Sequence, residues 1–134
     1  MVSQISIFAE NKKGAVSAIT RILSGADINI QSFVTNDSAE FGIIRMLVSD
    51  PEKASGLLRD AGYQIKQTSL MAIQIPDEPG SLDRVLRHIE RANINIDYIY
   101  TSFDRASAGP VIAIHADDMD ELEEFLSSKG FQCR

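Results

Sequence analysis

The sequence is a tandem repeat. With an offset of 66 residues, Ile7 matches Ile73, Gly14 matches Gly80, Arg21 matches Arg87 and Ala26 matches Ala92. The run Ile28-Asn29-Ile30 then matches Ile94-Asn95-Ile96, and Thr35 matches Thr101. Further on the offset becomes 68, pairing Ile44 with Ile112, Asp50 with Asp118, Leu58 with Leu126, Gly62 with Gly130 and Gln64 with Gln132. Self-similarity at such a period means that one structural unit is used twice. An insertion of two residues, around Asp104 to Gly109, accounts for the change of offset. Strand side chains alternate with period 2, so an even insertion in a hairpin keeps every later residue on its original face. Of the 134 residues, 1–68 then form one copy and 69–134 the other.

Both copies read alike. Residues 4–9 and 70–75 are short, β-prone and bounded by polar or proline-containing loops, so each opens its copy as a strand. A helix follows, marked by Val16, Ile19, Ile22, Leu23 and Ala26, and again by Leu82, Val85, Leu86, Ile89 and Ala92, at spacings of three and four. Ile28 to Thr35 and Ile94 to Phe103 resume β character and turn back into Phe41 to Val48 and Val111 to Ala116. Ser38 with Ala39, and Ser107 to Gly109, fit the turns. Ile44, Met46 and Val48 share one face, as do Ile112, Ile114 and Ala116. Ala54, Leu57, Leu58 and Ala61 mark a second helix, matched by Leu122, Phe125 and Leu126. Gly62 and Gly130 stand where a helix ends on positive φ, and Tyr63 to Ser69 and Phe131 to Arg134 close each copy as strands. Each copy is therefore β-α-β-β-α-β, an α+β ferredoxin-like plan with two helices on one face of an antiparallel sheet. Copies of about 66 residues are small for independent folding, and no Gly/Ser-rich spacer separates them, so side-by-side packing is expected.

Charge narrows the function. The chain carries 13 Lys+Arg against 19 Asp+Glu, a formal net charge of −6. Residues 1–66 balance at 7 and 7, and residues 67–134 carry 6 basic and 12 acidic groups, so the whole excess lies in the second copy. Nucleic-acid binding needs a basic face, and the largest cluster is Lys12 with Lys13, so no nucleic acid is expected as a partner. No apolar run approaches the roughly 18 residues that span a bilayer, and the segment from Met1 to Phe8 does not read as a signal peptide. A cytoplasmic protein that does not enter a membrane is the expectation. Cys133, the single cysteine, reads as a small strand-end residue.

Several chemistries lack their residues. There is no Cys-x-x-Cys for a metal, and Phe41, Tyr98 and Tyr100 are not arranged in both copies as RNA-stacking aromatics would be. His88 and His115 occur in one copy only, and no Ser or Cys pairs with them as a nucleophile, so they read as surface or satisfied polar positions. Asp117 to Glu124 reads as the solvated start of a helix, where carboxylates complement the dipole, and not as a cation loop. No catalytic residue, metal or cofactor is expected.

What recurs is the turn before the first helix of each copy and the start of its second strand. The turns are Asn11-Lys12-Lys13-Gly14-Ala15-Val16 and Asp77-Glu78-Pro79-Gly80-Ser81-Leu82, and the strands begin Asn29-Ile30 and Asn95-Ile96. A glycine at a helix entrance admits close approach to the backbone, and free first-turn amides favour a carboxylate. An Asn adds a donor and an acceptor, and Asp77 accepts from an ammonium group. Carboxylate plus ammonium describes a free amino acid. On spacing alone the plainer alternative stays open, in which Asp77 or Asn11 caps a helix, Pro79 preorganises it and the glycines only shape the turns.

The pattern Asp-x-Pro-Gly-x-Leu, a helix, and an Asn-Ile segment about fifteen residues after the glycine resembles the ACT domain family, over essentially the whole chain. Asp77, Pro79, Gly80, Leu82, Asn95 and Ile96 carry it in full, whereas the first copy has Asn11, Lys13 and Val16 in place of the acid, the proline and the leucine. The resemblance implies a stand-alone tandem ACT protein, non-enzymatic and regulatory, that binds a free amino acid. It implies an eight-stranded sheet from two paired units, with ligands between the helix-entrance loop of one and the second strand of the other. One site would combine Asn11, Gly14, Ala15 and Val16 with Asn95 and Ile96; the other, Asp77, Gly80, Ser81 and Leu82 with Asn29 and Ile30. The second is favoured, because Asp77 balances an ammonium group and Asn11 does not. A homo-oligomer and an enzyme partner in amino-acid metabolism are expected. The alternative is an assembly module that recruits an enzyme through its sheet edges without a ligand.

Overall fold

The computed structural model describes residues 1–35, 41–103 and 107–133, with Phe41 described by its backbone alone. The expected turn at Ser38 and Ala39, part of the two-residue insertion and Arg134 lie outside the described residues. The chain divides into two compact units, Ser3–Thr68, and Met1–Val2 with Ser69–Arg134.

In the first unit β1 (Val2–Glu10), α1 (Ala15–Gly25), β2 (Ile30–Thr35), β3 (Phe41–Val48), α2 (Pro51–Asp60) and the beginning of β4 (Gln64–Gln74) follow one another. The strand order is β2-β3-β1-β4. The second unit takes the end of β4 and adds α3 (Ser81–Arg91), β5 (Ile96–Ser102), β6 (Val111–Ala116), α4 (Met119–Ser128) and β7 (Gln132–Cys133). There β4 lies between β7 and β6, and β5 pairs with β6. The pairs β1 with β3, β2 with β3, β4 with β6, β4 with β7 and β5 with β6 are all antiparallel, and the fold is α+β with four helices and seven strands among the described residues. Two strands expected separately, Tyr63 to Ser69 and residues 70–75, are the single strand β4. The two segments are contiguous and Gln64–Gln74 contains no Gly or Pro to force a turn, so the extended backbone continues.

Both cores are built to the same plan. Ile5, Ile7, Ala9, Ile19, Leu23, Ile28, Ile44, Met46, Val48, Ala54 and Leu58 form the buried cluster of the first unit. Met71, Ile73, Ile75, Val85, Ile89, Ile94, Ile112, Ile114, Ala116, Leu122 and Leu126 form that of the second. Each residue of one matches one of the other at the sequence offset. Volume moves within the pattern: Ala9 and Ala54 become Ile75 and Leu122, and Val48 becomes Ala116. Cores tolerate such exchanges when total volume and patterning are kept.

All four helices stop by one device. Asp27, Gly62, Asn93 and Gly130 hold φ of 58°, 95°, 58° and 79°. The next residue then donates its N–H back to the carbonyl five positions earlier, Ile28 to Leu23, Tyr63 to Leu58, Ile94 to Ile89 and Phe131 to Leu126, at 3.0–3.3 Å. This closure satisfies an end carbonyl and seats an apolar residue beside the last turn. Asp and Asn tolerate the left-handed region better than other non-glycine residues, which explains the two helices that end without glycine.

Loss of Leu126 should cost more than loss of a surface cap. Urea denaturation of Leu126→Ala is expected to show a destabilisation of about 2–5 kcal/mol. Asp118→Ala removes only the α4 cap and is expected to cost about 1 kcal/mol.

Candidate functional site

The four helices begin in two different ways. Asp50 caps α2 by accepting from the Lys53 N–H at 3.1 Å, and Asp118 caps α4 by accepting from the Glu121 N–H at 3.0 Å. α1 and α3 instead open on Gly14 and Gly80, at φ 82° and 87°, with no side-chain cap. A side chain at these angles would be strained, and although the Ala15 and Ser81 N–H groups donate back to the Lys12 and Glu78 carbonyls at 3.2 and 3.3 Å, the next amides of each first turn, with no side-chain cap, keep their capacity for an outside acceptor. Asp77, offered by the sequence as a possible cap, caps nothing: the N-cap is Gly80, and Asp77 is exposed with no hydrogen bond or ion pair among the described residues. Asn11 is likewise not the N-cap of α1.

One side chain at the α3 entrance is out of balance. Ser81 is only 3% exposed, and its hydroxyl oxygen has no hydrogen-bond partner among the described residues. Burying a hydroxyl without a partner costs free energy that a bound acceptor or donor would recover. Its counterpart in α1 is Ala15, which has nothing to satisfy. Val16 and Leu82, two residues after the glycines, are 37% and 42% exposed, so each entrance sets an apolar side chain in the open.

The Asn-Ile positions sit just before or at the start of β2 and β5. The Asn29 N–H donates to the Ser49 hydroxyl at 2.9 Å, and its carbonyl accepts from the Ser49 N–H at 2.9 Å. The Asn95 carbonyl accepts from the Asp117 N–H at 3.1 Å. The backbones are tied down and the two Asn residues are exposed, while Ile30 and Ile96 pack against their cores. The pairing register then shifts in both units, between Ile30 and Ser32 and between Ile96 and Tyr98. Such bulges re-aim the neighbouring side chains. In the second unit the shifted residue Asp97 is bound by His115, Nδ1 to carboxylate at 2.8 Å, and the Tyr98 ring stacks on the imidazole at 5.0 Å.

Within the first unit a cleft of about 240 Å3 brings together Asn11, Ala15 and Val16 with Thr35, Gly42 and Ile44. Gly14 and Ala15 also border a second cleft of about 400 Å3, with Phe8 and Tyr63. Asn29 and Ile30 belong to a third, about 610 Å3, that runs over α1 past Ser17 and Arg21. The cleft at Asn11 does not include Asn29 or Ile30. Thr35 and Ile44 were missed as lining residues although the repeat marks them, since both recur, as Thr101 and Ile112. In the second unit the residue before β6 is tied to the end of β4: the Ile75 N–H donates to the Pro110 carbonyl at 3.0 Å. Among the described residues no cluster of His, Cys, Asp or Glu is fit to hold a metal, and no helix is long and apolar enough to cross a membrane.

A family model described as an ACT domain pair matches residues 1–132. The chain belongs to the ACT domain pair family. Protein BT0572 from Bacteroides thetaiotaomicron is 32% identical to this ACT pair and superposes with a TM-score of 0.91, over 99% of this chain and 91% of that one. The regulatory subunit of aspartate kinase from Thermus thermophilus, in its ligand-free form, shares the fold at 12% identity and a TM-score of 0.66, over 95% and 89% of the two chains. Aspartate kinase from Synechocystis does so at 18% identity and 0.59, with this ACT pair spanning 94% of itself and 25% of the kinase. No protein with a curated description matches.

Two substitutions test the entrance geometry of this ACT pair. Ser81→Ala removes the unsatisfied hydroxyl and is expected to raise ligand-free stability by about 1–3 kcal/mol in urea denaturation. Gly109→Ala should do the opposite, because its Cβ would stand 2.5 Å from the Ile75 carbonyl oxygen. A destabilisation of roughly 1–3 kcal/mol is expected, as for overpacking elsewhere.

Proposed function

We propose that this chain is a non-enzymatic, cytoplasmic regulatory protein that binds a free amino acid at its helix entrances and passes the change to a partner. The observation that carries the reading is Ser81, whose buried hydroxyl lacks a partner at the entrance of a helix left uncapped by side chains. The α3 half-site of Asp77, Gly80, Ser81 and Leu82 would receive the ligand carboxylate on the first-turn amides and the ammonium group on Asp77. Asn29 and Ile30 would complete it, as Asn95 and Ile96 would complete the half-site of Asn11, Gly14, Ala15 and Val16. Each completing strand start is to come from another ACT unit, so a homo-oligomer suits the scheme. Because Asp77 is matched by Asn11, the α3 half-site should bind the more tightly. What supports a partner enzyme in amino-acid metabolism is that a regulatory subunit of aspartate kinase and an aspartate kinase share the fold. A ligand shifts such a protein only by its differential affinity for two arrangements.

A second reading, an assembly module that recruits an enzyme by sheet extension, is favoured by the edges. β2 and β5 are each paired along one side only and expose Phe33 at 60% and Ile99 at 36%, at matched positions of the two copies.

Thermal-shift titration with the twenty amino acids separates the readings. Binding at a hundred times Kd stabilises by about 2.7 kcal/mol, well within detection. At least one amino acid should raise the melting temperature. Gly80→Asp should abolish the response by placing a carboxylate where the ligand's would lie, and Asn29→Ala should weaken it by roughly fivefold, the loss of about one hydrogen bond. No response to any amino acid, together with a copurifying enzyme subunit, would favour the assembly module.

A further inference from the structure

A cleft of about 320 Å3 runs along α3, lined by Gly80, Asp83, Arg84, Arg87, His88 and Arg91. Arg84, Arg87, His88 and Arg91 stand at i, i+3, i+4 and i+7, which places them on one side of the helix over about 10 Å. The one carboxylate in the lining, Asp83, is taken up by Arg87 at 2.8 Å. Arg84 and Arg91 make no hydrogen bond or ion pair among the described residues. His88 is set against the edge of the Phe131 ring, with centroids 5.9 Å apart.

The cluster belongs to the second unit alone. The corresponding residues of the first are Gly14, Ser17, Ala18, Arg21, Ile22 and Gly25, which carry a single charge. Three of the six basic residues between 67 and 134 lie in this cleft, in a stretch with twelve acidic ones. Glu90 is the other carboxylate of the helix and is not part of the lining.

We propose that the α3 cleft binds an oligophosphate group, in a nucleotide or in free polyphosphate. Guanidinium groups are planar forks that meet phosphate oxygens two at a time, and a row of them suits a ligand with several phosphoryl charges in line. His88 adds a ring N–H donor at the middle of the row. The guanidinium-bearing residues are exposed, so binding weakens as salt screens the attraction. The cleft shares only Gly80 with the proposed amino-acid half-site, and its occupation does not depend on that reading.

The test is calorimetric titration of the full chain at low salt with sodium triphosphate, ATP and citrate. Triphosphate and ATP are both expected to bind, and the double variant Arg84→Gln, Arg91→Gln to bind each about tenfold more weakly with an unchanged melting temperature. Arg21→Gln and Lys129→Gln, which remove a charge elsewhere, should leave the affinities within about twofold. Similar affinities for triphosphate and ATP assign recognition to the phosphates, and tighter ATP adds the nucleoside to it. The proposal is overturned if triphosphate gives no binding up to about 1 mM, if Lys129→Gln loses as much as the double variant, or if citrate binds as tightly as triphosphate.

Discussion

Gly14 and Gly80 turn the chain from a strand into a helix through a backbone region that costs other L-residues roughly 1 kcal/mol or more. That turn decides how the helix begins. A glycine in the N-cap position brings no side-chain oxygen, so the amides a side-chain cap would serve are left to other acceptors. The same chain shows the other solution twice, at Asp50 and Asp118, where a carboxylate closes the helix start. Two helices are thus finished structural parts. The other two are left open at the end where a helix dipole favours a negative group.

Most of the architecture was legible because two copies of one plan check each other. A single Ile at position 44 or 112 says little, but recurrence at a fixed offset marks a position that packing holds. The matched buried residues of the two cores show how far this reaches, since even the exchanges of Ala for Ile or Leu fall on aligned positions. Element ends were less legible. Gln67, Thr68 and Ser69 look like a polar joint, yet β4 runs through them, and the Gln67 amide is satisfied by donating to the Pro51 carbonyl and the Ser55 hydroxyl of α2.

The site was legible in its residue types and not in its electrostatic state. Sequence could not choose between Asp77 and Gly80 as the first residue to contact the helix, because an acid and a glycine are both ordinary N-cap residues. Nor could it show that the Ser81 hydroxyl goes unpaired, since a Ser in the first turn usually finds a partner. The close approach of Gly109 to Ile75 depends on a register between distant segments and has no local signature. Divergence is informative here in a way that similarity is not: a shared scaffold carries Ala15, Ala18 and Ile22 in one copy and Ser81, Arg84 and His88 in the other.

The uninterrupted strand Gln64–Gln74 also bears on how such a chain could have arisen and how it could be taken apart. The first copy ends where the second begins, and that point of the chain lies within β4 and not in a loop. A cut at the repeat boundary, between Thr68 and Ser69, would divide β4 between the two products. Two copies carried in one chain are inherited together, so differences such as Asn11 against Asp77 and Ala18 against Arg84 accumulate side by side within it.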